Sequence, residues 1–251
     1  MTSCLQHRGS IALTVTLLLV LVGEPARAQT FRVLYSFTGK PDGYEPYGGL
    51  VRDGAGNLYG TTMLGGTGSC VYYGQQLGCG TVFEVRPKGE ESVLYSFGTK
   101  NSPDGSSPEA NLVRDSQGNL YGTTFFGGND SCSDDNQYLG CGVVFRIDTA
   151  GKETVVYRFG NSPDGANPYA GLVIDGGTLY GTTVSGGAYN GGTVFKVTAT
   201  GQETVIYSFS GGTADGAEPY GGLVRDGAGN LYGTHNLRGY LLLGNRIQAR
   251  S

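Results

Sequence analysis

The sequence predicts an all-β fold, a β-propeller-like array of about four blades, each of them a four-stranded antiparallel sheet. Three observations support this prediction. Glycine supplies 46 of the 251 residues, well above its usual share of about 7%, so the chain is rich in turns. One phrase of residues recurs four times. Beyond the N-terminal apolar run, no segment shows the i, i+3, i+4 apolar spacing of an amphipathic helix.

The first 28 residues have the pattern of a signal peptide. Basic residues precede an apolar run from 11 to 22, which is shorter than the roughly 20 residues that a membrane-spanning helix needs. Ala26 and Ala28 supply the small side chains of a cleavage site, so the mature chain is expected to begin at Gln29. An uncleaved N-terminal anchor is the alternative. We expect a secreted or cell-surface protein with no transmembrane helix in the mature chain.

The recurring phrase defines a tandem-repeat domain over residues 29–235. Its first copy reads GLVRD and then GNLYGTT, and the copies begin near residues 49, 111, 171 and 222. Their leucines are 62, 60 and 51 residues apart, a period typical of propeller or solenoid arrays. A propeller is favoured, because the coils of a stacked solenoid usually hold about 20–30 residues. Residues 236–251 are expected to form an irregular tail.

Each repeat is predicted to contain four strands. The first two are Leu-Val-x-Asp and Asn-Leu-Tyr-Gly-Thr-Thr, joined by a turn of Asp, Gly and Asn residues. The third strand of the first repeat is residues 81–85, in which side chains alternate between two faces. In the fourth strand, Val93, Tyr95 and Phe97 line up on one face. We expect these aromatic rings to fill the seams between neighbouring sheets.

The two ends of the array complement each other. Residues 31–37 match a fourth strand, whereas the last repeat supplies only its first two strands before it departs from the phrase after Gly233. The last blade is therefore expected to be incomplete or closed by the N-terminal strand, with residues 33–37 paired to a strand within residues 240–247. An open array would leave unpaired edges, through which copies of the chain would associate.

The full phrase, GLV…D…GNLYGTT…GG…GTVF, resembles the GloVer tandem repeats of bacterial choice-of-anchor proteins. The resemblance extends from residue 31 to about residue 235. It implies an exported repeat protein, and it implies no particular reaction. The end of the chain departs from the family pattern, because His235 replaces the second threonine and no GTVF phrase or anchor follows.

Four cysteines lie in equivalent loops between the second and third strands. Cys70 and Cys79 belong to the first repeat and Cys132 and Cys141 to the second, and the shorter loop of the third repeat lacks both. Because the cysteines are lost as a pair, we predict the disulfides Cys70–Cys79 and Cys132–Cys141, which suit an oxidising compartment. A metal site between the loops is disfavoured, because no histidine lies near them in sequence. We predict no metal and no cofactor.

Aspartates recur at two places, in Asp-Gly pairs and after each Leu-Val phrase. A calcium site is the alternative, but a turn role is preferred because the spaced ligands of a calcium loop are missing. Tyrosines and threonines of the second strands would form a polar, aromatic ring around an axis, and such a ring would suit a sugar. Strand formation and packing alone would also explain them. The predicted ligand-facing residues are Tyr59, Thr62, Tyr121, Thr124, Tyr180, Thr183 and Tyr232.

Neither a nucleophile elbow, nor a Ser/His/Asp set, nor a phosphate loop occurs in the sequence, so no catalytic residue is predicted. The formal net charge is −4 and no basic cluster is present, which argues against nucleic acid as a partner. The sequence predicts an exported, non-catalytic binding or scaffold module, with glycans or cell-envelope components as partners. The alternative is a propeller-type hydrolase or lyase that acts on an extracellular polymer, with Asp134 and Asp135 as the least repeated acidic pair.

Overall fold

A computed structural model describes residues 30–72, 74–98, 103–128, 132, 140–160 and 162–236. The predicted signal peptide, the acidic pair Asp134 and Asp135, and nearly all of the predicted tail lie outside these described residues. The strands belong to a compact unit that begins at Val33. In the part of the chain that is described, no helix is long and apolar enough to cross a membrane.

The strands follow one another as four-stranded antiparallel sheets, one sheet per repeat. The first repeat contains β1 (Val51–Arg52), β2 (Leu58–Thr62), the small hairpin β3 (Val71–Tyr72) and β4 (Gln75–Gln76), β5 (Thr81–Val85) and β6 (Glu91–Ser96). The second contains β7 (Val113–Arg114), β8 (Leu120–Thr124), β9 (Val143–Ile147) and β10 (Glu153–Arg158). The sheet orders are β1-β2-β5-β6 and β10-β9-β8-β7.

The third repeat has the same plan and the fourth is partial. A short strand, β11 (Gly165–Ala166), precedes β12 (Val173–Asp175) and β13 (Thr178–Thr183), and β14 (Ser185–Gly186), β15 (Thr193–Thr198) and β16 (Glu203–Ser208) follow. The third sheet has the order β12-β13-β15-β16. A four-residue helix, α1 (Gly212–Asp215), leads to the hairpin of β17 (Val224–Arg225) and β18 (Leu231–Tyr232). The predicted all-β array of four-stranded antiparallel sheets is confirmed for the described residues. Whether the last blade is incomplete or closed stays a prediction.

Equivalent residues pair in the same register in every complete sheet. The glycine of each Tyr-Gly-Thr-Thr phrase faces the phenylalanine of the next strand, in the pairs Gly60–Phe83, Gly122–Phe145 and Gly181–Phe195. A Cβ atom on any of these glycines would lie 2.6–2.7 Å from the phenylalanine Cζ. The phrase therefore requires glycine because an aromatic ring covers the backbone at this point.

The same phenylalanines join each sheet to its neighbour. Rings pack edge to face between repeats, with centroid distances of 4.8 Å for Phe37–Phe83, 5.3 Å for Phe97–Phe145 and 4.9 Å for Phe159–Phe195. The prediction that aromatic residues fill the seams is confirmed for these rings. A hydroxyl also crosses each seam, since Thr61, Thr123 and Thr182 donate to carbonyl groups of the following repeat, at Ala110, Ala170 and Gly221.

Both predicted disulfides are present. Cys70 is bonded to Cys79 and Cys132 to Cys141. Closure of the array stays a prediction, because residues 240–247 lie outside the described part of the chain. Residues 33–37 form no strand with any described residue.

Candidate functional site

A proline loop precedes the first strand of every repeat. The four loops are residues 45–47, 107–109, 167–169 and 218–220, with the sequences Glu-Pro-Tyr, Ser-Pro-Glu, Asn-Pro-Tyr and Glu-Pro-Tyr. The residue before each proline has a positive φ, of 58°, 56°, 57° and 52° in turn. Such a backbone is uncommon for residues other than glycine. It persists only where surrounding contacts impose it.

Backbone hydrogen bonds on both sides hold the proline loops. The N–H groups of Ser107, Asn167 and Glu218 donate to carbonyl groups of the preceding repeat, at Cys79, Cys141 and Gly191, over 2.7–2.9 Å. Their own carbonyl groups accept hydrogen bonds from the end of the second strand in their own repeat, at Phe125, Val184 and Asn236. The second, third and fourth loops are thus each fixed between two repeats, and a disulfide loop supplies one of the two supports for the second and third. The first loop is held within its own repeat, where Met63 donates its N–H to the Glu45 carbonyl over 3.0 Å.

The prolines also pack against the preceding repeat. A Cβ atom on Gly80 would lie 2.4 Å from Cδ of Pro108, and one on Gly142 or Gly192 would lie 2.8 Å from Cδ of Pro168 or Pro219. These glycines stand directly before the third strand and have positive φ. The Gly-Thr-Val-Phe phrase therefore begins with glycine because φ is positive there, and because the second strand's backbone and the next repeat's proline together occupy the space that a side chain would need.

The residue after each proline projects on what we call the proline-loop face, made of the four proline loops. Tyr47 is 62% exposed and Tyr220 is 47% exposed. Tyr169 is partly buried, and its ring lies 5.2 Å from the ring of Tyr220 and 6.0 Å from that of Phe125, in both cases edge to face. The face therefore presents tyrosines from the first, third and fourth repeats.

Glu109 breaks the pattern, because it takes the place that tyrosine holds in the other three loops. Burial, and then the negative charge of Glu45, raise the pKa of Glu109 to about 7. Burial raises the pKa of Tyr169 as well, followed by the charges of Glu109 and Tyr220. These interactions connect Glu45, Glu109, Tyr169 and Tyr220 in repeat order across the face.

An open cavity of about 600 Å³ adjoins the first proline loop. Tyr44 and Glu45 form one side, and the β3–β4 hairpin, with Gln75 and Gln76, forms another. Lys40 also lines the cavity, and its Nζ donates a hydrogen bond to the Gly68 carbonyl over 3.0 Å. The cavity therefore combines an ammonium group, a carboxylate and amides beside the proline-loop face, a polar set that suits hydroxyl-rich ligands.

The threonines of the predicted ligand ring point into the protein, which corrects that part of the prediction. Thr62, Thr124 and Thr183 have exposed fractions of 0%. Their hydroxyls donate to the nearby carbonyl groups of Leu64, Phe126 and Ser185 over 2.7–2.9 Å. The connecting segment covers them, since a Cβ on Gly43, Gly105 or Gly165 would touch these same threonines.

The tyrosines of the predicted ring are bonded to aspartates in three repeats. The hydroxyls of Tyr59, Tyr121 and Tyr232 donate to Asp53, Asp115 and Asp226 over 2.9–3.2 Å. The same aspartates accept backbone N–H groups of the following turn, as at Asn57, Asn119 and Asn230, which confirms their predicted turn role. The third repeat differs, because Arg225 pairs with Asp175 and lies 5.7 Å from the ring centroid of Tyr180.

Sequence reasoning did not identify Tyr47, Glu109, Tyr169 and Tyr220. The sequence does contain a pattern that marks these positions. A proline stands four residues after the aspartate of each Asp-Gly pair, and each of these side chains follows that proline directly. Only the conformation of the loops shows that these side chains share a face.

A family model described as the Gloeobacter/Verrucomicrobia repeat matches residues 23–134 and 68–244. The chain belongs to this repeat family. The family membership confirms the GloVer-type resemblance of the repeated phrase. No curated protein matches this repeat-family chain.

Solved structures share a distant likeness with this repeat-family protein. A luciferin-regenerating enzyme is 14% identical, with a TM-score of 0.42, over 78% of this chain and 70% of its own. A gluconolactonase from Xanthomonas campestris is 17% identical, with a TM-score of 0.32, over 80% and 82%. The dipeptidyl peptidase 4 of Porphyromonas gingivalis is 11% identical, with a TM-score of 0.37, over 74% of this chain. This chain spans only 23% of that peptidase, and 57% of another structure described as a gluconolactonase.

Proposed function

We propose that this protein is an exported binding module that holds glycans on its proline-loop face. The observation that carries the proposal is the row of partly exposed tyrosines on loops fixed between repeats, with Tyr169 and Tyr220 in ring contact. Aromatic faces with a polar edge suit the apolar faces and hydroxyls of sugar rings. Three carboxylates, of Glu45, Glu109 and Glu218, belong to the same loops. They favour neutral or amino-sugar glycans over polyanionic ones.

The expected location is outside the cell or on its surface. Two disulfides fit an oxidising compartment. The pattern of residues 1–28 supports export. Glycans and other envelope polymers are the partners that such a location supplies.

Alanine substitution of the exposed tyrosines tests the binding proposal. Affinities of the mature protein for xylan, β-glucan and chitosan oligosaccharides would be measured by calorimetry. Tyr220→Ala and Tyr47→Ala are expected to weaken binding about tenfold each, the equivalent of about 1.4 kcal/mol. Tyr189→Ala is the matched control, because Tyr189 is 67% exposed and lies beside Tyr207 instead of the proline loops. Equal affinities for all three variants, or no binding to any of these glycans, would contradict the proposal.

A second candidate function is hydrolysis of the bound glycan, and Glu109 is the observation that favours it. Its pKa of about 7 lets Glu109 keep a proton near neutral pH, and the carboxyl group of Glu45 belongs to the same face. Glycoside hydrolases use such a pair. Glu109 would donate its proton to the leaving oxygen, and Glu45 would take a proton from the water whose oxygen bonds to the anomeric carbon.

Release of new reducing ends from the same oligosaccharides tests this function. Glu109→Gln and Glu45→Gln are expected to lower the rate at least about a hundredfold while binding persists. Glu90→Gln is the control, because Glu90 lies in the β5–β6 turn and pairs with Arg86. The rate is expected to fall as Glu109 ionises above its pKa of about 7. A glycan that binds and yields no reducing ends would rule hydrolysis out and leave the binding proposal standing.

A further inference from the structure

Three seams in the described part of the chain each contain a tyrosine, an aspartate and a glutamate that neither proposed function uses. We call these sets the seam triads. The tyrosine lies in the fourth strand of one repeat, or in the equivalent N-terminal segment. The aspartate belongs to the Asp-Gly pair that follows this tyrosine in the sequence. The glutamate is the first residue of the fourth strand in the next repeat. The triads are Tyr35–Asp42–Glu91, Tyr95–Asp104–Glu153 and Tyr157–Asp164–Glu203.

Hydrogen bonds hold the aspartates of the triads in place. The tyrosine hydroxyl donates to the aspartate over 2.6 Å in the first triad, 2.5 Å in the second and 2.8 Å in the third. Backbone N–H groups add further donors, from Thr38 to Asp42 and from Gly160 to Asp164. Burial opposes ionisation of Asp42, but the hydrogen bonds from Tyr35 and Thr38 outweigh it and lower the pKa of Asp42.

Each glutamate of the triads has one carboxyl oxygen without such a donor. Among the described residues, the Oε1 atoms of Glu91, Glu153 and Glu203 are buried and have no hydrogen-bond partner. An ionised carboxylate in this position would lose solvation and would face the negative charge of the aspartate. The same unpartnered oxygen occurs at the same place in three successive repeats, so it is a property of the repeat.

Among the described residues, the charged groups that shift the pKa values of these glutamates come from the triads, except for Arg158. Burial first, and then Asp164, raise the pKa of Glu203 to about 7. Burial and the charge of Asp104 raise the pKa of Glu153 to about 7, although the charge of Arg158 acts to lower it. Burial and Asp42 also raise the pKa of Glu91, against a hydrogen bond from Tyr35.

We propose that each seam triad holds one proton on its glutamate, and that the folded array loses stability when these protons leave. The tyrosine and aspartate position the glutamate, and the proton removes the repulsion between the two carboxyl groups. The array is therefore most tightly joined in mildly acidic medium and loosens as the medium becomes alkaline.

The direction of the effect follows from linkage. In the unfolded chain the glutamates lose their protons near the ordinary pKa of 4.5, whereas Glu153 and Glu203 keep theirs to about 7 in the folded chain. Between these values the folded state binds more protons than the unfolded state, so the free energy of unfolding falls as the pH rises. The loss is complete above the folded pKa values, at about pH 8.

Urea unfolding of the full-length protein between about pH 6 and pH 8, with a chelator present, tests the proposal. The midpoint of the wild type is expected to fall with pH. Glu153→Gln and Glu203→Gln each mimic the protonated side chain and are expected to reduce proton release on unfolding by about one at pH 6. The double variant should lose the share of the pH dependence that Glu153 and Glu203 supply and keep the share of Glu109, whose pKa is also about 7. Its melting temperature at pH 8 should exceed that of the wild type by about 2–4 °C. Glu90→Gln is the matched control and should behave as the wild type.

A second variant keeps the test decisive if the double variant folds poorly. Asp164→Asn removes the charge that faces Glu203 and is expected to flatten the pH dependence without touching the glutamate. Infrared bands of neutral carboxyl groups should also disappear from the wild type between pH 6 and 8. The same pH slope in the wild type, Asp164→Asn and the glutamine variants would overturn the proposal. Calcium ions that raise the melting temperature of the wild type at pH 8, but not that of the glutamine variants, would overturn it too, because a cation would then occupy the triads.

Discussion

Single glycines determine how closely strands and neighbouring repeats approach in this protein. Gly122 lies under the ring of Phe145, and a Cβ there would meet both that ring and Cδ2 of Leu112, within 2.8 Å. The chain conformation at Gly122 is one that other residues adopt, since its φ is not positive. The requirement for glycine is therefore steric, and it recurs at Gly60 and Gly181.

Gly122→Ala is expected to destabilise the protein by about 1–3 kcal/mol, because the ring of Phe145 must move inside a packed core. Urea unfolding at constant pH would measure the change. Gly54→Ala is the matched control, because no atom lies within 4 Å of the new Cβ and the φ of Gly54 is not positive. It should change the free energy of unfolding by less than about 0.5 kcal/mol. Similar losses for the two variants would show that the ring of Phe145 does not explain the requirement for glycine.

The disulfide loops act as supports for the element that follows them. Cys79 accepts the N–H of Ser107, and Cys141 that of Asn167, so each bridged loop holds the next repeat's proline loop in its positive-φ conformation. In the third repeat Gly191 gives the same support to Glu218 in a loop that is shorter and contains no cysteine. The short loop needs no bridge, because it has fewer residues to constrain.

Replacing Cys70 and Cys79 together by serine is expected to lower the stability by about 2–4 kcal/mol, as for other short disulfide loops. Hydrogen exchange should also show faster exchange at the N–H of Ser107, whose acceptor is the Cys79 carbonyl. The N–H of Glu218, bonded to Gly191, provides the internal control and should keep its protection. Unchanged protection at Ser107 would show that the bridge and the proline loop are independent.

At the scale of the whole molecule, the sequence alone predicts the repeat architecture but does not predict which side chains form the candidate site. Leucine, glycine and aromatic positions recur at fixed places, so the strands, their order within a sheet and both disulfides could be predicted from local patterns. The proline-loop face could not be predicted in this way. Whether Thr62 or Tyr47 is accessible depends on a connecting segment that crosses the end of the strand, and burial of this kind results from contacts between residues distant in sequence. The rise in the pKa of Glu109 likewise depends on burial, and then on the charge of Glu45 in another repeat.

In the proline loops, the residues that stabilise the fold are distinct from the residue that would contact a ligand. The residue before the proline is fixed by two neighbours, and the proline itself fills a space in the preceding repeat. The side chain after the proline is less constrained by its neighbours, as the replacement of tyrosine by glutamate at residue 109 shows. Substitution of the residue after the proline can therefore change the ligand preference of a repeat while its fold is kept. Duplication of a repeat adds one more such residue to the surface and leaves the existing ones in place.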